Sequence, residues 1–108
     1  SDSGVQLEHP ELMGSYRGQN DHNDYNWFDP WYGSQAPTDI GGHGTHTLGS
    51  VLGKTVGVAP GATWFGCANL ARNLGNAAFY LDCMQFMLAP FPVGGNPFTD
   101  GDPRKRPM

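Results

Sequence analysis

No apolar run in the 108 residues approaches the length of a bilayer-spanning helix, so a membrane span is excluded. No signal peptide opens the chain, and it lacks an initiator Met, which suggests that Ser1 lies inside a longer product. Basic residues are scarce, six against ten acids, for a net charge of −4. Half of them form the single triplet Arg104-Lys105-Arg106, which reads as a solvated loop; nothing else resembles an electrostatic footprint for nucleic acid. Cysteine is limited to Cys67 and Cys83, which allow one bridge or two buried thiols, one on a strand and one on a helix.

What the chain does have is glycine and proline, sixteen and nine residues, about twice the average share, so loops and turns occupy much of it. Aromatics at 12% argue against disorder and supply a modest core for one domain at most. Residues 1–5 read as a strand end running into a glycine turn, and Glu8–Leu12 as one helical turn with Pro10 near its start. Gly14–Gly42 is a long polar and aromatic loop of the kind that is functional or pinned by its own side chains. His43–Leu52 predicts a short helix with Leu48, Val51 and Leu52 as its buried stripe and Gly53 as its C-terminal cap. Gly57–Gly61 is a turn. Ala62–Leu70 then reads as a strand too apolar to be an edge. Asn76–Leu88 predicts a second helix, with Phe79, Cys83, Phe86 and Met87 at helical spacing and Pro90 ending it. From Pro90 onward the punctuation of Pro, Gly and Asp predicts an exposed loop. Strand end, helix, strand, helix is the order of an α/β layer with a parallel sheet.

Two residues stand where chemistry would use them. A hydroxyl nucleophile needs a base to remove its proton, and an imidazole suits the task if a carboxylate fixes its other nitrogen. In open α/β sheets such groups gather at the carboxyl ends of strands. Asp2 lies at a predicted strand end and His43 at a predicted helix start. Either alone reads equally as a turn former or a capping residue. A metal site is the rival: His43 and His46 share one helix face, with Asp21, Asp24 or Asp39 as a third ligand, yet no acid sits between the histidines as in His-Glu-x-x-His. The Asn20–Asp29 cluster offers oxygen ligands for calcium but not in EF-hand positions, and reads better as a solvated loop.

Asp2-Ser3-Gly4-Val5 with His9-Pro10-Glu11-Leu12 resembles the segment around the catalytic Asp of the subtilisin-like serine proteases. Gly42-His43-Gly44-Thr45-His46-Thr47-Leu48-Gly49 is similar to that family's catalytic-His helix, and Gly57-Val58-Ala59-Pro60-Gly61-Ala62 to the turn and strand that follow it. The stretch from Trp64 to Cys67, Leu88-Ala89-Pro90-Phe91-Pro92 and Thr99-Asp100-Gly101-Asp102-Pro103 resemble the family's bacillopeptidase F-like branch.

The resemblance implies the N-terminal part of a doubly wound parallel α/β domain, residues 1–108 forming a partial peptidase domain. It implies Asp2 as the carboxylate that orients the base and His43 as general base and acid. Ser3 and Gly4 would shape the Asp turn, His46 would be packed, and His9 would anchor the loop after Asp2. It also implies protein or peptide substrates, no cofactor for the chemistry, a monomeric and secreted intact enzyme, and with secretion a Cys67–Cys83 disulfide. A structural calcium is compatible with the family but has no assigned residues, because the loop before Gly57 is shorter than the one that helps bind calcium in subtilisin. The family's Gly-Thr-Ser nucleophile segment is absent: Ser1, Ser3, Ser15, Ser34 and Ser50 all lie in other contexts. The chain alone is therefore expected to be inactive. The alternatives are a non-catalytic pseudo-protease, with the aromatic loop Trp27–Tyr32 as its contact surface, and a metal-binding module using His43 and His46.

Overall fold

The segment around Trp64–Ala68 is the spine of the molecule, bonded along both of its edges. The computed structural model describes residues 1–108. Strand β1 is Trp27–Phe28 and β2 is Gly66–Cys67, parallel, with Trp27 beside Gly66 and Phe28 beside Cys67. On the opposite edge of β2, Asp2 bridges to Ala68: Asp2 N donates to Cys67 O at 3.2 Å and Asn69 N to Asp2 O at 2.9 Å. β2 is thus interior, as its apolar composition predicts, and the parallel α/β class holds.

The regular strand is nevertheless much shorter than Ala62–Leu70, because its neighbour on one edge changes along its length. Trp64 exchanges backbone bonds with Ser15 and Arg17, whereas Gly66 and Ala68 donate to Asn26 and Phe28. The long loop before His43 is also not structureless. It contains β1, and its aromatics are core: Trp27 is buried, and Phe28 lies 5.6 Å from Phe86 and 4.9 Å from Phe91, ring centre to ring centre. Tyr32 alone among Trp27, Phe28, Trp31 and Tyr32 is exposed. Asp29, read as part of a solvated cluster, is buried instead. Its carboxylate accepts from Trp31 N at 2.9 Å, Tyr32 N at 3.1 Å and Ser34 Oγ at 2.7 Å, which ties the loop on itself.

Helix α1 spans His43–Leu52 and α2 spans Ala77–Leu88, the latter capped by Asn76, whose Oδ1 accepts from Phe79 N at 2.8 Å. Leu52 is buried and Leu48 packs against the same cluster, but Val51 faces outward at 55% exposure. Gly53 caps α1 with extended rather than left-handed backbone, its N–H donating to Gly49 O at 2.9 Å. Beyond α1, Glu11 holds the turn directly: its carboxylate accepts from Thr55 N and Thr55 Oγ1, and its carbonyl from Lys54 N.

Trp64 and Cys67, three positions apart on extended backbone, feed opposite faces. On one side Val5, Leu12, Tyr16, Leu52 and Trp64 form a cluster under α1. On the other, Cys67, Cys83, Phe86 and Phe91 form a cluster under α2. A disulfide joins Cys67 to Cys83. Pro90 and Phe91 are buried, not exposed, because Phe91 packs edge-on to Phe86 at 5.1 Å; the exposed segment begins only after them. No helix is long and apolar enough to cross a membrane.

Candidate active site

Asp2 and His43 are 41 residues apart in sequence and in contact in space: His43 Nδ1 lies 2.7 Å from Asp2 Oδ1. A carboxylate only accepts, so Nδ1 carries the proton and donates it, which leaves the lone pair on Nε2. The His43 side chain is 52% exposed against 22% for Asp2, so the imidazole stands at the surface on a largely covered carboxylate.

Two glycines make this approach possible. Gly4 has φ +122°, and a Cβ there would overlap the Thr38 carbonyl. Gly44 follows His43 in the first turn of α1, and a Cβ on it would overlap the carbonyl of Gly4 and come within 3.1 Å of Asp2 Cβ. The helix therefore rests backbone to backbone on the Asp2–Gly4 turn, which is the steric reason for the Gly two residues after the Asp and the Gly directly after the His.

Hydrogen bonds fix the remaining freedom. Asp2 Oδ1 also accepts from Ser3 N at 2.6 Å, and Oδ2 accepts at 3.2 Å from Thr47 Oγ1, whose one proton is shared with Gly44 O at 3.0 Å. Burial by itself would raise the Asp2 pKa, but the bonds from His43, Ser3 N and Thr47 and the charge of His43 outweigh it and hold the carboxyl below its ordinary 3.8. Asp39 is the second carboxylate of the site. Oδ1 accepts from Ser3 Oγ at 2.8 Å and Gly42 N at 3.0 Å, and Oδ2 from Thr45 N at 2.9 Å and Thr45 Oγ1 at 2.6 Å. Here too burial would raise the pKa, and the bonds from Thr45, Gly42 and Ser3 bring it down.

The structure thus joins Asp2 to His43 through a direct bond. His46 does not belong with them, and it is exposed, not packed: one helical turn on, its ring lines an open polar cavity of about 420 Å³ with His9, Glu11 and Asp39. His9 holds the loop after Asp2, Nδ1 accepting from Glu11 N at 3.2 Å. Asp39, weighed only as a metal ligand, is instead occupied by the N-terminus of α1, and no group of three or more His, Cys, Asp and Glu side chains is arranged to hold a metal ion. Thr47 escaped the sequence reading, although its spacing, one turn beyond His43, puts it on the same helix face. Asp39 carried no comparable signal, because a carboxylate four residues before a helix start is not the usual cap position.

Comparison with known proteins adds the family. The subtilase family profile (peptidase S8) matches residues 1–88. The chain belongs to the subtilase family. It is 35% identical over 114 residues to bacillopeptidase F of Bacillus subtilis (strain 168), a match that covers 94% of this chain and 8% of that protein. The chain thus spans less than a tenth of the length of this curated relative. No solved structure matches the chain. Within the subtilase match fall Asp2, Ser3, Asp39, His43 and Thr47, and with them both glycines of the contact.

Proposed function

We propose that residues 1–108 supply the Asp and His of a serine endopeptidase site that hydrolyses peptide bonds in protein or peptide substrates. The observation that carries this reading is the 2.7 Å bond from His43 Nδ1 to Asp2, with the imidazole half exposed. Asp2 fixes the tautomer and stabilises the imidazolium that forms when Nε2 takes the proton of a serine hydroxyl. That proton then passes to the leaving amine, and water hydrolyses the acyl-enzyme by the reverse of the same steps. No cofactor is required for these steps. The serine comes from outside these 108 residues: none of the five serines present bonds to His43, and Ser3 Oγ is engaged by Asp39 and Gly44 N. By itself the chain is inactive. Secretion is supported by the Cys67–Cys83 disulfide, since such bonds persist in oxidising compartments. The intact enzyme is read as a monomer. Metal-module chemistry finds no support in the ligand geometry.

The test is a longer product of the same reading frame that carries a Gly-Thr-Ser segment. Asp2→Asn and His43→Ala should each lower its peptide hydrolysis by about 10⁴-fold, the scale of losses in serine triads. Unchanged turnover in either variant overturns the assignment, as does labelling of the 108-residue chain by a fluorophosphonate above background. A frame with another residue in place of the serine favours the non-catalytic reading.

A further inference from the structure

Asp2 and His43 each contribute one side chain to the contact, and a third residue, hydrogen-bonded to neither, ties together the segments on both sides of it. The Asp39 carboxylate accepts from Ser3 Oγ, next to Asp2, and from Gly42 N, Thr45 N and Thr45 Oγ1, on either side of His43. Ser3 Oγ in turn accepts from Gly44 N at 2.8 Å, and Thr45 Oγ1 from Gln6 N at 2.9 Å. Both hydroxyls spend their single proton on Asp39, so their lone pairs are turned towards the opposite segment. Backbone pairing continues the seam, with Gly4 bridged to Asp39 and Val5 N donating to Thr38 O at 3.1 Å.

We infer that Asp39 is a positioning residue: as an anion it clamps the Ser3 turn to the first turn of α1 and so sets the Asp2–His43 distance. The inference rests on the reading of Asp2 and His43 as the working pair, and goes beyond it by assigning the group that aligns them. The direction of every bond requires a carboxylate. In Asp39→Asn one oxygen becomes an NH₂ that faces donors, either Thr45 N–H and Oγ–H or Ser3 Oγ–H and Gly42 N–H. A mismatch at a charge-assisted bond of this kind leaves part-buried donors unpaired.

The readout is the Nδ1-bound proton of His43, observed by NMR in the 108-residue chain and timed by its exchange with solvent. Asp39→Asn should speed that exchange by about tenfold or more, the scale set by losing a bond to a charged group. Ser3→Ala and Thr45→Val should act in the same direction by less, and Ser3→Thr, which keeps the hydroxyl, should retain slow exchange. Phe86→Ala is the control for general destabilisation, since it lies in the other cluster and should leave the proton unchanged well below its melting temperature. Asp39→Asn behaving like Phe86→Ala overturns the inference. If Asp39→Asn does not fold, Ser3→Ala and Thr45→Val decide, and wild-type exchange in both overturns it equally. Asp2→Asn separates the two readings. Its failure to disturb the proton defeats the pair itself, whereas an Asp2→Asn effect without an Asp39→Asn effect defeats only the clamp.

Discussion

The two regions that meet at β2 solve different problems with different physics. Around Asp2 the chain uses backbone contact at two glycines, two carboxylates and a set of short, directional hydrogen bonds. Around Cys67 it uses Phe28, Phe86 and Phe91 packed on a disulfide, where contact is broad and direction matters little. Packing of the second kind supplies most of the stability of a small domain, because buried apolar area scales with free energy. Bonds of the first kind contribute less but fix where atoms stand. On the proposed reading of His43 as the base, its imidazole needs the latter, so the candidate site lies on the polar seam and the aromatic cluster serves as its foundation.

The comparison breaks most sharply if stability and site geometry can be moved separately. Phe86→Ala, at a fully buried ring that meets Phe28, Phe65 and Phe91, should cost about 3–5 kcal/mol in urea unfolding. The His43 Nδ1 proton should persist in whatever fraction remains folded. Gly44→Ala is the mirror case. Its Cβ would overlap the Gly4 carbonyl, for a cost of about 3 kcal/mol, and here the Asp2–His43 bond should be lost even in the folded fraction. If both variants shift the two readouts in parallel, the division between foundation and seam is wrong.

The disulfide probes the foundation from another side. Cys67 and Cys83 are 16 residues apart, and opening a loop of that size by Cys67→Ser with Cys83→Ser should lower stability by about 3 kcal/mol. Cys67 O also accepts from Asp2 N, so this variant tests how far the foundation reaches towards the seam. Slow exchange at His43 after the loss would place the seam under the control of α1 and Asp39 alone.

Of the two regions, the seam was the more legible in sequence, for a physical reason. Asp2-Ser3-Gly4 and His43-Gly44 are constrained at each residue by close contact, so few side chains fit and the pattern survives as a motif. The limits of α1 and the C-terminal end of α2 were likewise visible, because periodicity and a following proline act locally. What the sequence hid was long-range. Trp27 and Phe28 form a strand only because Gly66 and Cys67 lie beside them. Pro90 and Phe91 are buried because Phe86 is there to receive Phe91. Asp39 accepts from Ser3, 36 positions away, a partner that no local spacing announces.

Acid should weaken the seam before the foundation. Asp2 and Asp39 both have folded pKa values below the ordinary 3.8, so their contribution is fully present above that value. It is lost as pH falls through the lower folded values, when each carboxyl gains a proton and stops accepting from its donors. Glu11 and Asp102 shift the same way, through bonds from Thr55 and Arg104, but both lie outside the seam. Unfolding midpoints and the His43 proton followed from about pH 6 to pH 2 should show exchange quickening at a higher pH than that at which the aromatic near-ultraviolet signal is lost. Simultaneous loss would mean that the two regions unfold as one.

The smallest effect belongs to Thr47→Val, and it sharpens the account of Asp2 itself. The Asp2 oxygens are loaded unequally: Oδ1 takes the 2.6 Å bond from Ser3 N and the 2.7 Å bond from His43, whereas Oδ2 takes only the 3.2 Å bond from Thr47. Valine keeps the shape and removes the hydroxyl, so stability should fall by about 1 kcal/mol or less. The Asp2 carboxyl, followed by its ¹³C titration, should move part of the way back up towards its ordinary range, because one of the bonds that lower it is gone. The His43 proton should stay slow to exchange, since Oδ1 is untouched. A proton lost in Thr47→Val would show that the carboxylate plane is set by the weaker bond on Oδ2, and alignment of the pair would then depend on Thr47 as much as on the clamp at Asp39.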